Sequence, residues 1–240
     1  MILTLRRAVG KVATFQASYT RSHATSDINA NTRFDHDIGF DVPDPALYHS
    51  YYADANWDVR NHFSFSGVYT VPGMKTGLAK ALTSGWEVGI LSSIQSGTPF
   101  WVHTTAPYGA GGDYNADGTN YDIPNAPANY CGGSYGEQNY LTGLFPASVF
   151  TAPSAGTQGN LRRNSCRNPG MVEVDASVSK NTRLKWLGEQ GSLQLRLDFE
   201  NVLNKVNLAG VDSNMADATF GRSTQALIPR TIQLGARISF

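Results

Sequence analysis

The sequence lacks any run of about 18 or more consecutive apolar residues, the length that a membrane-spanning helix requires. It also lacks net charge, because 19 basic residues offset 19 acidic ones. The chain therefore carries no overall field that would draw it to nucleic acid or to an anionic surface, and we expect no nucleic-acid partner. If this chain crosses a membrane, it has to do so with strands.

An export signal is also missing from the first residues. Met1–Arg7 has no charged leader ahead of an apolar core and no small-residue cleavage site, and it reads as the middle of a strand. For an exported protein, this predicts that the natural N-terminus lies upstream and that the chain is a fragment.

Period-two alternation of apolar and polar residues is the main pattern that is present. It puts successive side chains on opposite faces of a strand. From Thr231 to Phe240 every position obeys it. The same pattern predicts seven strands, at about residues 2–7, 12–23, 60–71, 83–96, 171–183, 191–202 and 230–240.

The connections between these strands alternate in length. Short turns alternate with long polar loops at about 24–59, 97–170 and 203–229. This is the layout of an outer-membrane β-barrel, whose short turns face the periplasm. We therefore expect an all-β fold, an antiparallel transmembrane β-barrel, in contact with the outer-membrane lipids of a Gram-negative-type bacterium. The alternative is a secreted β-sandwich, acting as an adhesin or a carbohydrate-binding module, because single strands of the two folds look alike.

Charge predicts which face of each strand points into the barrel. An Arg or Lys facing lipid at mid-bilayer costs about 2–4 kcal/mol, so the charged face must line the lumen. Aromatic residues near the strand ends, Tyr69, Trp86, Trp101 and Phe240, fit the girdles found at the membrane interfaces. The predicted lumen-facing residues are Glu87, Glu173, Asp175, Arg196, Asp198, Glu200 and Arg237.

Several segments resemble successive strands of TonB-dependent receptors, and most closely the Oar-like subgroup. These segments are Ala13–Thr20, Asp58–Tyr69, Gly85–Gly89 with Gln95–Phe100, and Leu197–Asn204. The resemblance implies a barrel of about 22 strands with a plug in its lumen, of which this chain would supply about seven C-terminal strands. It also implies uptake driven by TonB. The sequence contains neither a plug nor a TonB box, so the implied role is the barrel wall of a receptor whose substrate is unknown.

The last strand is similar to the signal that the barrel assembly machinery reads. Its alternating apolar positions and terminal aromatic residue are Ile232, Leu234, Ile238 and Phe240. The resemblance therefore implies the assembly machinery as a partner of this chain.

A partial calcium motif lies in the longest loop. Asp113, Asn115 and Asp117 match the first half of a calcium-binding loop, in which alternate oxygen ligands converge. Pro124 stands where the bidentate Glu is expected, although Asp122 could replace it. The alternative is an ordinary turn rich in Asp, Asn and Gly. Structural calcium is the one cofactor that we expect as a hypothesis.

Cys131 and Cys166, the two cysteines, lie in the same loop. A location on the cell surface favours a disulfide between them, which would contribute on the order of 3–4 kcal/mol in the entropic model. A pair of free thiols is the alternative.

No pattern in the sequence supports an enzyme. The segment 132–136 matches G-x-S-x-G, but that motif needs a strand before it and a helix after it, and the sequence predicts neither. The histidines are scattered without metal-binding spacing. Arg162, Arg163 and Arg167 cluster on the predicted outer side, either as solvated charge or as a contact for lipopolysaccharide phosphates.

Overall fold

The computed structural model describes residues 1–26, 52–104, 114, 122–128, 130–131, 133 and 135–240. This part of the chain contains eleven strands and two short α-helices, α1 (Gly77–Thr83) and α2 (Glu137–Thr142). Neither helix is long and apolar enough to cross a membrane. The strands are β1 (Ile2–Val9), β2 (Ala13–Arg21), β3 (Thr25–Ser26), β4 (Ala53–Asp54), β5 (Asn61–Thr70), β6 (Trp86–Gln95), β7 (Pro99–Phe100), β8 (Cys166–Arg167), β9 (Met171–Arg183), β10 (Ser192–Glu200) and β11 (Thr231–Ser239).

Seven long strands form one sheet in the order β1-β2-β5-β6-β9-β10-β11. Every neighbouring pair is antiparallel. These strands begin and end within a few residues of those predicted from the alternating pattern. β1 runs slightly further than predicted, to Val9, because the chain turns only at Gly10, whose φ of 54° suits glycine.

The register collects most of the polar residues of the seven strands on one face, whereas Arg7, Ser92 and Lys180 lie on the other. Residues directly opposite one another in a sheet share a face. One such row runs from Arg6 to Gln16, Ser66, Leu91 and Asp175. Leu91 is an apolar exception within this row, as the interruption of the alternation at residues 91 and 92 predicts.

The opposite face is apolar and uncovered. It carries exposed large side chains on every part of the sheet, among them Leu5, Tyr69, Ile90, Leu195 and Leu234. In the described ranges, the two further sheets, β3–β4 and β7–β8, are each only two-stranded and do not form a layer over this face. Soluble proteins rarely expose such a continuous apolar surface, which is typical of contact with lipid.

The sheet has two free edges, at β1 and β11. The predicted barrel is therefore open in the part of the chain that the structure describes. A sheet edge leaves backbone donors and acceptors unpaired, which a membrane does not tolerate.

The buried apolar core lies in the long connections and not beneath the sheet. Three phenylalanines, Phe145, Phe150 and Phe220, pack there with their ring centroids 5.3 to 5.6 Å apart. The small sheet β7–β8 pairs Phe100 with Cys166, two residues of the same buried cluster. We call this packed region the loop layer. Its buried residues are Phe100, Val102, Ile123, Cys131, Phe145, Phe150, Leu161, Cys166 and Phe220.

Candidate functional site

All seven predicted lumen-facing residues lie on the polar face of the sheet. Glu87 is opposite Ser179, and Arg196 is opposite both Ser179 and Gly235. A groove with a volume of about 600 Å³ crosses this face. The charged and amide side chains that line it are Arg6, Gln16, Asp175, Arg196, Asp198, Glu200 and Gln233.

Several of these polar groups are held by hydrogen bonds. The carboxylate of Asp175 accepts a hydrogen bond from the backbone N–H of Asn201 at 2.9 Å. Arg196 donates to Asp198 on the same strand at 2.8 Å. The polar face can therefore offer both charges and hydrogen-bonding groups to a hydrated solute or to a polar protein surface.

A second group of charges joins the long connections to one another. Arg167 donates to the carboxylates of Asp54 and Asp58, at 2.6 Å each. Arg60 donates to the same two carboxylates at 2.7 and 2.6 Å. Arg167 also donates to the carbonyl oxygens of Asp58 and Gly97. We call Asp54, Asp58, Arg60 and Arg167 the ion cluster.

The ion cluster stabilises the charged forms of its two carboxylates. Asp58 has a fully buried side chain, whereas the side chain of Asp54 is 21% exposed. Burial raises the pKa of Asp58, but the hydrogen bonds that it accepts, above all from Arg167, lower that pKa overall. For Asp54, hydrogen bonds from Arg60 and His23 likewise outweigh the effect of burial and lower the pKa.

The cluster is an ion-pair network and a poor site for a cation. His23, Asp54 and Asp58 bring one potential ligand atom each within 4.8 Å of one another. However, the two arginines lie on the same carboxylates and balance both negative charges. A metal ion would have to displace arginines that are already paired.

The expectation for two of the three clustered arginines is wrong. Arg163 is only 3% exposed and donates to the carbonyl oxygen of Ser26. Arg167 belongs to the ion cluster. Neither residue is solvated loop charge or free to meet lipopolysaccharide phosphates, because each already binds another loop of the same chain. Arg162 is exposed.

A disulfide bond joins Cys131 to Cys166, whose Cα atoms are 4.8 Å apart. Both cysteines are buried in the loop layer. The bond ties the middle of the longest loop to β8, next to Arg167 of the ion cluster.

The predicted calcium ligands fall largely outside the described residues. Of the four, only Asp122 is described, and it is buried. Its carboxylate accepts a hydrogen bond from the backbone N–H of Tyr114 at 2.7 Å, and its backbone pairs with Thr104. Asp113, Asn115 and Asp117 lie in the part that is not described, so calcium binding stays a prediction.

The G-x-S-x-G segment has a helix after it, contrary to the prediction. That helix is α2, which begins at Glu137. Before the motif, residues 128, 130 and 131 lie in turns, where the catalytic motif would need a strand. Ser134 itself is outside the described residues.

The aromatic girdle prediction is wrong for Trp101. Tyr69 and Trp86 lie on the apolar face near strand ends, as expected. Trp101 instead packs against the core of the loop layer, and its ring centroid lies 5.8 Å from that of His103 in a tilted arrangement. Burial lowers the pKa of His103 to about 4, which keeps this histidine neutral near pH 7.

Comparison with known proteins yields one match. A family model described as outer membrane beta barrel domain matches residues 1–233. The searches of curated proteins and of solved structures found no match to the chain.

Proposed function

Because the chain belongs to the outer membrane beta barrel domain family, which locates it in the outer membrane of a Gram-negative-type bacterium, we propose that it forms barrel wall in a TonB-dependent receptor. In this proposal, a substrate binds at the outer loops and in the lumen and is then taken up. The observation that carries the proposal is the two-faced sheet, with a charged groove on one side and uncovered apolar residues on the other.

The apolar face argues against the β-sandwich alternative. A sandwich would cover this face with a second sheet, and the described part of the chain supplies none. Contact with the acyl chains of the membrane accounts for the exposed residues without a second layer. A secreted adhesin or carbohydrate-binding module is therefore not supported by this surface.

The free edges support a large barrel. β1 and β11 are the first and seventh strands of an antiparallel sheet, so they run in the same direction. A barrel that is antiparallel throughout then needs an odd number of further strands between them. A barrel of about 22 strands, the size of plugged outer-membrane transporters, meets this condition.

The polar face supports contact with a plug. The groove is lined by side chains of both signs, the basic Arg6 and Arg196 and the acidic Asp175, Asp198 and Glu200. A folded domain in the lumen would use them for hydrogen bonds and ion pairs. TonB would act on that domain, and the wall would hold it in place.

Site-specific photo-crosslinking in cells tests this arrangement. A photoreactive amino acid replaces Asp198 on the polar face or its neighbour Leu197 on the apolar face. We expect the probe at position 198 to crosslink to a plug domain and the probe at position 197 to crosslink to lipid. The receptor proposal would be contradicted if the probes at positions 197 and 198 gave the same adducts. It would also be contradicted if the probe at position 198 reacted only with water.

A further inference from the structure

The turn between β5 and β6 is a folded element and not a simple connection. It spans residues 71–85 and contains α1. The backbone N–H of Met74 donates to Oγ1 of Thr83 at 2.9 Å, and that hydroxyl donates to the carbonyl of Ala79 at 2.7 Å. A Cβ at Gly73 would lie 2.1 Å from the Oγ of Ser84, so only glycine allows the two ends to approach this closely. The turn therefore has one fixed shape.

The C-terminal end of α1 is fixed to the apolar face of the sheet. Trp86 and Lys180 are opposite each other in register on that face. Nε1 of Trp86 donates to the carbonyl of Leu82 at 2.7 Å, and Nζ of Lys180 donates to the same carbonyl at 2.8 Å. Lys180 also lies 4.7 Å from the centre of the Trp86 ring. A cation at the end of a helix is favoured by the helix dipole.

Apolar residues of this element stay exposed. Leu78 is 78% exposed and Leu82 is 62% exposed. They are four residues apart and so lie on one side of the helix. Met74, in the same turn, is also exposed. Because Leu82 is held beside Trp86, this apolar surface continues the lipid-facing surface of the sheet at its short-turn end.

The short turns are basic. The three turns at 10–12, 71–85 and 184–191 contain four lysines, Lys11, Lys75, Lys80 and Lys185, against one acid, Glu189. The long connection at 22–60, at the other end of the sheet, has the opposite character, with seven Asp against two Arg. The positive charge thus lies at the end of the barrel where α1 exposes its leucines.

From these observations we propose that the turn at 71–85 is an interfacial anchor that binds anionic phospholipid in the periplasmic leaflet. Leu78 and Leu82 insert at the boundary between acyl chains and headgroups, as the apolar side of an interfacial helix does. Lys75 and Lys80 bind lipid phosphates, and Lys180 keeps the helix against the barrel wall. The proposal rests on the location in the outer membrane and is independent of the receptor function.

Fluorescent labelling tests the insertion of the leucines. The two cysteines of the chain form a disulfide, so a new cysteine is a unique labelling site. An environment-sensitive dye is attached to Leu78→Cys or Leu82→Cys in the full-length protein, purified from the outer membrane and reconstituted in phospholipid vesicles. The matched control is Leu141→Cys, an exposed leucine of the short helix α2 in the loop layer.

We expect the dyes at positions 78 and 82 to be quenched by nitroxide-labelled lipid and shielded from iodide in the water. The dye at position 141 should respond in the opposite way. If the dye at position 78 is as accessible to iodide as that at position 141, the anchor does not insert and the proposal fails.

Lipid titration tests the role of the lysines. Native mass spectrometry measures how strongly the detergent-solubilised protein retains an anionic phospholipid. A lysine near an anionic surface contributes about 1 kcal/mol, so Lys75→Gln and Lys80→Gln should each weaken retention about fivefold. The control Arg162→Gln, on the outer side, should leave retention unchanged. Equal retention by all three variants would overturn the phosphate-binding part of the proposal.

Discussion

Ile90 and Leu91 offer a matched test of which face of the sheet meets lipid. They are consecutive apolar residues at the middle of β6, and they are exposed to similar extents, 41% and 55%. Ile90 lies on the apolar face, opposite Gly67 and Ala176, whereas Leu91 lies on the polar face, opposite Ser66 and Asp175. Replacing each residue by arginine adds the same group on opposite sides of the wall.

The two substitutions should differ strongly in free energy. At position 90, the guanidinium would face lipid near the bilayer midplane, and its small neighbours Gly67 and Ala176 offer no polar side chain. The expected cost of Ile90→Arg is about 2–4 kcal/mol, which is roughly 30- to 700-fold in the folding equilibrium. At position 91 the guanidinium would face water and the carboxylate of Asp175, and a favourable pair of this kind is worth about 0–1 kcal/mol.

Two measurements check this prediction. The amount of each variant in urea-washed outer membranes reports assembly. Urea unfolding from lipid vesicles, followed by tryptophan fluorescence, reports stability, and the midpoint should fall for Ile90→Arg while that of Leu91→Arg stays near the wild-type value. Equal effects of the two variants, or a larger loss for Leu91→Arg, would refute the assignment of the faces.

Three further predictions concern the loop layer, and each is checked by measuring how well its long connections resist protease. Asp58→Asn removes the charge that Arg60 and Arg167 share and should destabilise the layer by about 2–3 kcal/mol, whereas Asp198→Asn on the polar face should leave it unchanged. Replacing Cys131 and Cys166 by serine should cost on the order of 4 kcal/mol in the entropic model without reducing membrane assembly; a loss of assembly would show that the sheet depends on the loop layer. His103 has a pKa of about 4 when folded, below its unfolded value, so the unfolded chain binds the extra proton and stability falls as the pH drops. The loss between pH 7 and pH 5 should be about 2 kcal/mol, and a His103→Gln variant that shows the same pH dependence would contradict this explanation.

The sheet was predictable because its signal is local. In a barrel wall, one side of each strand meets lipid and the other meets water, so every second residue is selected for the same environment. The segment from Leu193 to Glu200 shows this alternation directly, so the local pattern alone assigns Arg196 and Asp198 to one face. The pairing of β10 with β9 places both residues on the polar face of the sheet. Strand ends follow from turn residues such as Gly10.

The sequence did not predict the helix α1, because a pattern of seven residues is too short to distinguish a helix from a turn. Its seven residues make only two turns, which are marginally stable on their own in water. It is held by Lys180, which is far away in sequence and donates to the carbonyls of Ala81 and Leu82. The periodicity of the sequence does not reveal such a long-range contact, so the sequence predicts only a turn between β5 and β6.

The ion cluster and the core of the loop layer were hidden for the same physical reason. Asp58 and Arg167 are 109 residues apart, and each is an ordinary loop residue until the chain brings them to 2.6 Å. The sequence did contain one indication of this core. Large apolar side chains are mostly buried, so the phenylalanines in these long connections indicate a packed region; they are Phe145, Phe150 and Phe220. A long loop that contains several phenylalanines and a pair of cysteines should therefore be expected to form a packed core of its own. Its charged residues are then expected to pair with one another before they bind an external anion.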